Sequence, residues 1–360
     1  MSTNLIAAII AFGIMIFAHE LGHFLVAKRV GITVHAFAVG FGPKLVGVTR
    51  GETVYAINLV PFGGYVKLAG EELEDSGGPH TFRAKSVWQR MAVLAAGPLM
   101  NLLLALILLS GLALVLGVPS GVTNRIGQLL TDCVDNGHKV PCPAQQAGLQ
   151  AGDTIVAING RPMAGGEEVI DTIHRNPHTR LRLVVERAGR RFEVEVTSIL
   201  EARQNIGLIG YRPEAIRQHL GPIRALLWGI STIAQTTGAL LTALAALITH
   251  PRQAMDSLMG PVGAVTFLGE TARGGGEMFL YTAAAMSVLI GIFNLLPIPA
   301  LDGGRLFFLA VEAVRRRPVD PRREGYIHMI GFALLILLLI TLSVRDVARV
   351  CTWCSKLLNF

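Results

Sequence analysis

The chain has 360 residues, 51% of them hydrophobic and 16% charged, with a formal net charge of +7. This balance is too apolar for an ordinary soluble enzyme and fits a polytopic membrane protein with a polar insert. The basic excess is no nucleic-acid footprint: it lacks interleaved aromatics and gathers in short stretches beside apolar runs, as positive-inside topology requires.

The first apolar run, about 4–26, predicts a retained transmembrane helix. A signal peptide would have a basic n-region and a shorter apolar core, and would not carry His19, Glu20 and His23. Each ionisable group at bilayer depth costs at least a few kcal/mol, so three together call for a purpose. His19-Glu20-Leu21-Gly22-His23 reads HExxH. Residues four apart on a helix differ by about 40° and roughly 6 Å of rise, so both imidazoles leave one face. Two neutral His nitrogens there suit zinc, and Glu20 can take a proton from water beside it. Lys28 and Arg29 open a basic segment that continues to Arg90 and is expected on the cytoplasmic side, with MSTN outside.

That segment predicts a membrane-associated β-hairpin at about 53–70. NLVPFGGYVKL (58–68) alternates apolar residues around Gly63-Gly64 and could offer an edge strand, with Gly63, Gly64, Tyr65 and Val66 as substrate-binding candidates by β-addition. An ordinary hairpin is the alternative. A second span follows at about 91–118. It contains Asn101, either a support for a binding cleft or an interhelical polar group.

Residues 119–212 change character. DTIVAING (153–160), LRLVVER (181–187) and FEVEVTSI (192–199) predict strands, VIDTIHRN (169–176) a helix, and Asn159-Gly160 a tight hairpin turn. Cys133 and Cys142 flank a polar loop in this α+β module, which topology places outside the cytoplasm, where disulfides persist. A bridge is the favoured reading, with two free thiols the alternative.

Residues 213–275 predict amphipathic helices lying at the interface. The polar-diluted run 226–249 is included, because an extra crossing there would put later residues on the wrong side. A third span, about 277–300, meets two prolines in FNLLPIPALDGGRLFF (293–308). A broken helix at membrane depth implies a buried or wet site, so Asn294 and Asp302 become candidates. Helix capping by Asp302 and hydrogen bonding by Asn294 are the competing roles. A cytoplasmic loop (303–325), a fourth span (about 326–345) and a short extracytoplasmic tail complete the chain. His328 is read as reaching the interface, and the lone Cys351-x-x-Cys354 receives no role.

HExxH in a first span, NxxPxPxLDGG in a later one and PAQQAGLQAGDTIVAINGRPM (143–163) between them resemble the site-2 protease family, in its bacterial regulator-of-sigma-E protease form. VGFGPKL (39–45), PFGGYVKLAGE (61–71), FRAKSVWQRMAVLAAGPLMN (82–101) and GPVGAV (260–265) extend the likeness. The resemblance implies about four transmembrane helices, a membrane-associated β-hairpin and an inserted α+β PDZ domain, single here where larger members carry two. It implies one Zn2+ held by His19, His23 and Asp302, Glu20 as general base and then proton donor, and Asn294 on the substrate backbone or oxyanion. The implied reaction is peptide-bond hydrolysis inside transmembrane segments of single-span proteins, typically anti-sigma factors, in the lipid bilayer of the bacterial inner membrane. Rival readings are a non-catalytic PDZ scaffold and a metal-dependent transporter. The latter would show inverted repeats, and the two metal-bearing segments do not resemble each other.

Overall fold

The structure is a computed structural model and describes residues 2–71, 78–135, 138–201, 205–251 and 258–350. Two compact units are present: Leu114–Leu220, and the flanking Met1–Ala113 with Gly221–Phe360. In chain order the elements are α1 (Ser2–Arg29), β1 (Val34–Arg50), β2 (Thr53–Leu68) and α2 (Val87–Val115). The inserted unit has β3 (Val118–Leu129), β4 (Asp132–Asp135), β5 (His138–Pro141), α3 (Pro143–Gln146), β6 (Thr154–Ile158) and β7 (Arg161–Pro162). It continues through α4 (Gly166–His174), β8 (Arg180–Arg187), β9 (Arg190–Thr197), β10 (Ile199–Glu201), β11 (Ile206–Leu208) and β12 (Tyr211–Gln218). Helices α5 (Pro222–Thr249), α6 (Pro261–Arg273), α7 (Gly276–Leu295), α8 (Asp302–Arg315) and α9 (Pro321–Val350) follow.

Among the described residues, five helices are long and apolar enough to cross a membrane: α1, α2, α5, α7 and most of α9. The sequence reading expected about four and laid 226–249 on the surface. That stretch lies within one continuous 28-residue helix, Pro222–Thr249, with no proline or glycine pair to interrupt it. Its first turns pack on the bundle through buried Ala225, Gly229 and Thr232.

Helix α1 ends on a Schellman cap. Gly31, at φ +73°, lets its N–H reach Lys28 C=O while Ile32 N–H reaches Ala27 C=O. Lys28 and Arg29 in the last turn complement the helix dipole. The chain then enters β1, seventeen residues that the expected hairpin of 53–70 did not include. Gly40, Gly42 and Pro43 hide this strand, since none favours a strand interior. The register shows both strands folded on themselves. Residues 36–39 lie between 64–67 on one side and 54–57 on the other, while 46–50 flank 53–57. Gly64–Leu68 is therefore an edge of this small sheet.

Helices α1 and α2 cross at close range, with Gly22 against main chain and Gly97 against a side chain. A Cβ on Gly22 would lie 2.2 Å from Ala96 O, and one on Gly97 2.2 Å from His23 Nε2. Small residues at such crossings are how apolar helices approach when lipid supplies no hydrophobic drive. Helix α7 packs on α2 in the same manner, with Gly291 against Pro98 O and Ser287 Oγ donating to Asn101 O at 2.8 Å. Helix α7 stops at Leu295, earlier than the span expected to reach 300. The predicted loop 303–325 contains the fourteen-residue α8: Gly303-Gly304 argues against a helix locally, but both glycines are buried where a side chain would strike the backbone of 295–299.

The inserted unit is built on a six-stranded antiparallel sheet, ordered β12-β3-β6-β8-β9 with β7 paired to β6. Ile126, Ile155, Ile158, Leu181, Leu183 and Val185 fill its core beneath Val169 and Ile173 of α4. Asn159 and Gly160 have φ of +53° and +79°, the twist-matched hairpin turn expected from Asn-Gly. Cys133 and Cys142 are joined in a disulfide across β4–β5.

Candidate active site

The HExxH helix turn and the start of α8 converge. His19 Nε2 lies 3.1 Å and His23 Nε2 3.3 Å from Asp302 Oδ2, and the two Nε2 atoms are 3.2 Å apart. Tetrahedral zinc ligands at about 2.0–2.1 Å from the ion stand roughly 3.4 Å from one another. The three atoms thus form one face of a tetrahedron of the right size, and among the described residues they are the group of His, Cys, Asp and Glu close enough to hold a metal.

The protonation pattern fits the same ion. His23 Nδ1 stands 2.8 Å from Val93 O, and a carbonyl only accepts, so Nδ1 carries the proton and Nε2 keeps its lone pair. Asp302 Oδ2 is buried with no hydrogen-bond partner, although it faces both rings. Two lone pairs and a carboxylate oxygen facing each other out of water repel unless a cation lies between them. Asp302 opens α8 without capping it, since Leu301 is the cap residue and makes no side-chain capping bond. The competing capping role is therefore not the one this structure displays.

Glu20 follows His19 directly on α1, in the same helical turn as His23. The sheet edge reaches it directly: a Cβ on Gly64 would fall 2.8 Å from Glu20 Cγ and 3.1 Å from Ile16 Cγ2. Gly64 is thus a close-approach glycine, while Gly63 takes φ +105°. Tyr65 is exposed and Val66 half-buried. The edge is tied down beyond its end. Glu71 pairs with Arg305, one turn after Asp302 on α8. Arg90 of α2 reaches Glu312 of α8 at 2.5 Å. These pairs line a cavity of about 530 Å³ with Glu324 and His328.

The other expected residues are less committed. Asn294 Nδ2 donates to Ile290 O of its own helix at 2.9 Å. Asn101 is fully buried and both polar atoms of its amide lack partners. It lies one turn beyond Gly97, the glycine that touches His23, and its Cβ adjoins Gly291. The sequence reading missed the contact made by His328. Its Nδ1 accepts the N–H of Ala300, in the turn that precedes Asp302, and no local pattern links the two.

In the inserted unit, Asp153 is buried and receives Arg187 at 2.7 and 2.8 Å and the Gln150 N–H at 2.8 Å. Burial alone would raise its pKa. The Arg187 and Gln150 hydrogen bonds outweigh that and hold the carboxyl below the usual range. Burial pushes the Tyr211 hydroxyl up to about 12. A cavity of about 460 Å³ lies between α4 and 208–213, lined by Val134, Ile170, Ile173, Leu208, Gly210 and Tyr211.

An HExxH turn in an apolar helix, with an aspartate brought beside it from a distant segment, is a group that could hold a metal, as in a membrane zinc metalloprotease. The chain belongs to peptidase family M50, whose model matches residues 7–338. A regulator of sigma-W protease, RasP, of Bacillus subtilis is 32% identical, over 96% of this chain and 98% of its own. The zinc metalloprotease RasP of Geobacillus kaustophilus is 34% identical with the same coverage. A putative zinc metalloprotease of Clostridium acetobutylicum is 34% identical over 96% and 97%. A solved PDZ domain of an SdrC-like protein from Listeria innocua matches 26% of this chain and 99% of its own, at 20% identity and a TM-score of 0.20.

Proposed function

We propose that this zinc metalloprotease cuts peptide bonds within transmembrane segments of single-span membrane proteins, with His19, His23 and Asp302 as the metal ligands. The observation that carries this reading is the 3.1–3.3 Å triangle of ligand atoms inside an apolar helix bundle. When bound, zinc supplies a Lewis acid that polarises the scissile carbonyl and makes water acidic enough to be deprotonated near neutral pH. Glu20 takes the proton of the attacking water and returns it to the leaving amine. His23 is kept in the ligating tautomer by Val93 O. Asn101, fully buried one turn from Gly97, is read as supporting the cleft. Asn294 gives one amide N–H to Ile290 O and keeps the second N–H for a substrate carbonyl or oxyanion.

A helical peptide bond is shielded by its own turns, so a substrate must be unwound before it is cut. The edge at Gly64–Leu68 offers it a strand to pair with, beside Glu20, through Gly63, Gly64, Tyr65 and Val66. The basic segment from Lys28 to Arg90 supports a site facing the cytoplasm of a bacterial inner membrane, and the buried disulfide supports an extracytoplasmic inserted unit. We read that unit as a PDZ module: its AGLQAGD turn, its Asn-Gly hairpin and the apolar hollow beside α4 support this. The sigma-W regulator among the relatives makes anti-sigma factors the first substrates to try.

The deciding experiment reconstitutes the protein in liposomes with a single-span anti-sigma factor. Glu20→Gln should stop cleavage and retain the uncut segment for identification by mass spectrometry. Cleavage at the parent rate in that variant would remove the mechanism. Deleting residues 121–210 separates two uses of the inserted unit. Cleavage by the shortened protein of a substrate that keeps its whole extracytoplasmic part marks exclusion by size, and loss of all cleavage marks recruitment.

A further inference from the structure

Asp302 is delivered by a tight turn. Ile298 O accepts the Leu301 N–H at 3.2 Å, Pro299 is second in the turn, and Ala300, the third residue, has φ +77°. Proline second and a positive φ third mark a type II turn, whose third residue is ordinarily Gly or Asn. Alanine is more comfortable in the type I form, which needs no positive φ. The two forms differ by a flip of the peptide plane between the second and third residues. That flip reverses the direction of the third residue's N–H, and because the changes in ψ of the second residue and φ of the third cancel only in part, it also tilts the chain leaving the turn by a few tens of degrees.

The N–H in question is held. Ala300 donates it to His328 Nδ1 at 2.9 Å. Since Nδ1 accepts, the ring proton is on Nε2, which makes no hydrogen bond and stands 3.9 Å from Glu324 Oε1. Phe308 of α8 meets the imidazole edge-on, with ring centroids 5.6 Å apart. One turn further along α9, a Cβ on Gly331 would lie 2.3 Å from Pro299 Cβ and 3.0 Å from Pro299 O. Helix α9 therefore grips both sides of the 299–300 peptide: His328 takes its N–H, and Gly331 makes room for the proline and its carbonyl. This constellation brings no group to the reacting atoms. Its product is the path of residues 300–302.

We propose that His328 is a positioning residue for the metal centre: by holding the Ala300 N–H it selects the type II form of the 298–301 turn and so sets where the Asp302 carboxylate stands against His19 and His23. The proposal rests on the reading of those three residues as the zinc ligands, and its test keeps the two claims apart.

The test follows zinc release from the purified full-length enzyme into a chromogenic chelator, alongside proteolysis. His328→Leu removes the acceptor and keeps the bulk. Release should quicken by roughly 10- to 100-fold, the range for residues that orient metal ligands from outside the coordination shell. His328→Asn, whose Oδ1 can stand where Nδ1 stands, should keep release slow. Ala300→Gly added to His328→Leu should restore slow release, because glycine takes φ +77° without strain and holds the turn unaided. A packing role for the imidazole gives no reason for rescue by deleting a methyl group from the turn. Ala300→Val, with His328 intact, offers an independent route. A β-branched residue is strongly disfavoured at positive φ, so this variant should also quicken release. The proposal falls if His328→Leu or Ala300→Val releases zinc at the parent rate, or if Ala300→Gly fails to restore it. Asp302→Asn is the reference: unchanged release there overturns the ligand assignment itself, whereas fast release there with slow release in His328→Leu overturns the positioning role alone.

Discussion

Asp153 of the inserted unit and the half-buried Asp302 of the membrane unit both hold carboxylate oxygens out of water, and the two are treated in opposite ways. Asp153 in the inserted unit is saturated by the protein: two bonds from Arg187 and one from the Gln150 N–H leave it nothing to seek. Asp302 in the membrane unit faces two imidazole nitrogens and has an oxygen with no hydrogen-bond partner. A buried charge whose partners are all supplied by the fold serves the fold. One left incomplete among other acceptors is waiting for something the chain does not encode.

The contrast can be broken at several points. The largest effect is expected from Glu20→Gln, which leaves the ligand triangle intact and removes the proton carrier. Proteolysis should fall by about 10²- to 10⁴-fold while metal analysis still finds one zinc per chain. Gly97→Ala comes next. The new methyl group would sit 2.2 Å from His23 Nε2, so the imidazole must leave the triangle, and bound zinc and activity should be lost together. Helicity by circular dichroism should be kept. A variant that retains zinc would mean that α1 and α2 can separate.

On the other side of the comparison the effects are on stability. Cys133→Ser with Cys142→Ser opens a loop closed over a sequence separation of 9. It should lower the unfolding free energy of the inserted unit by about 2–3 kcal/mol in denaturant titration. The smallest effect concerns Asp153. Its folded pKa lies below the unfolded value of about 3.9. Its stabilising contribution is therefore complete above that unfolded value and is lost as pH falls through the folded one. Asp153→Asn should remove this part of the acid dependence of Tm, and a profile identical to the parent would show that another carboxyl controls it.

What could be read from the sequence was whatever obeys a local rule. HExxH needs only helical spacing, Asn159-Gly160 only a turn preference, and the Pro-rich approach to Asp302 only the rule against broken helices in lipid. The rest depends on distant contacts. A glycine such as Gly97 inside an apolar helix says nothing until His23 is placed against it. Strand β1 was hidden by its glycines and proline, and α8 by the Gly303-Gly304 pair that its crowded start demands. His328 looked like one more polar residue near a membrane surface, because nothing local ties it to Ala300 twenty-eight positions earlier.

The crossing of α1 and α2 at Gly22 and Gly97 bears on how such a centre could ever be loaded. At Gly22 the two helices touch through main chain, and at Gly97 the His23 ring fills the gap left by the missing side chain, so little room remains between them for rearrangement. Space for a guest segment must come from neighbours that meet through side chains: the sheet edge along Glu20, and the turn and helix on the far side of Asp302. The histidines are the part of the site held most firmly, by main chain at Gly22 and by close contact at Gly97.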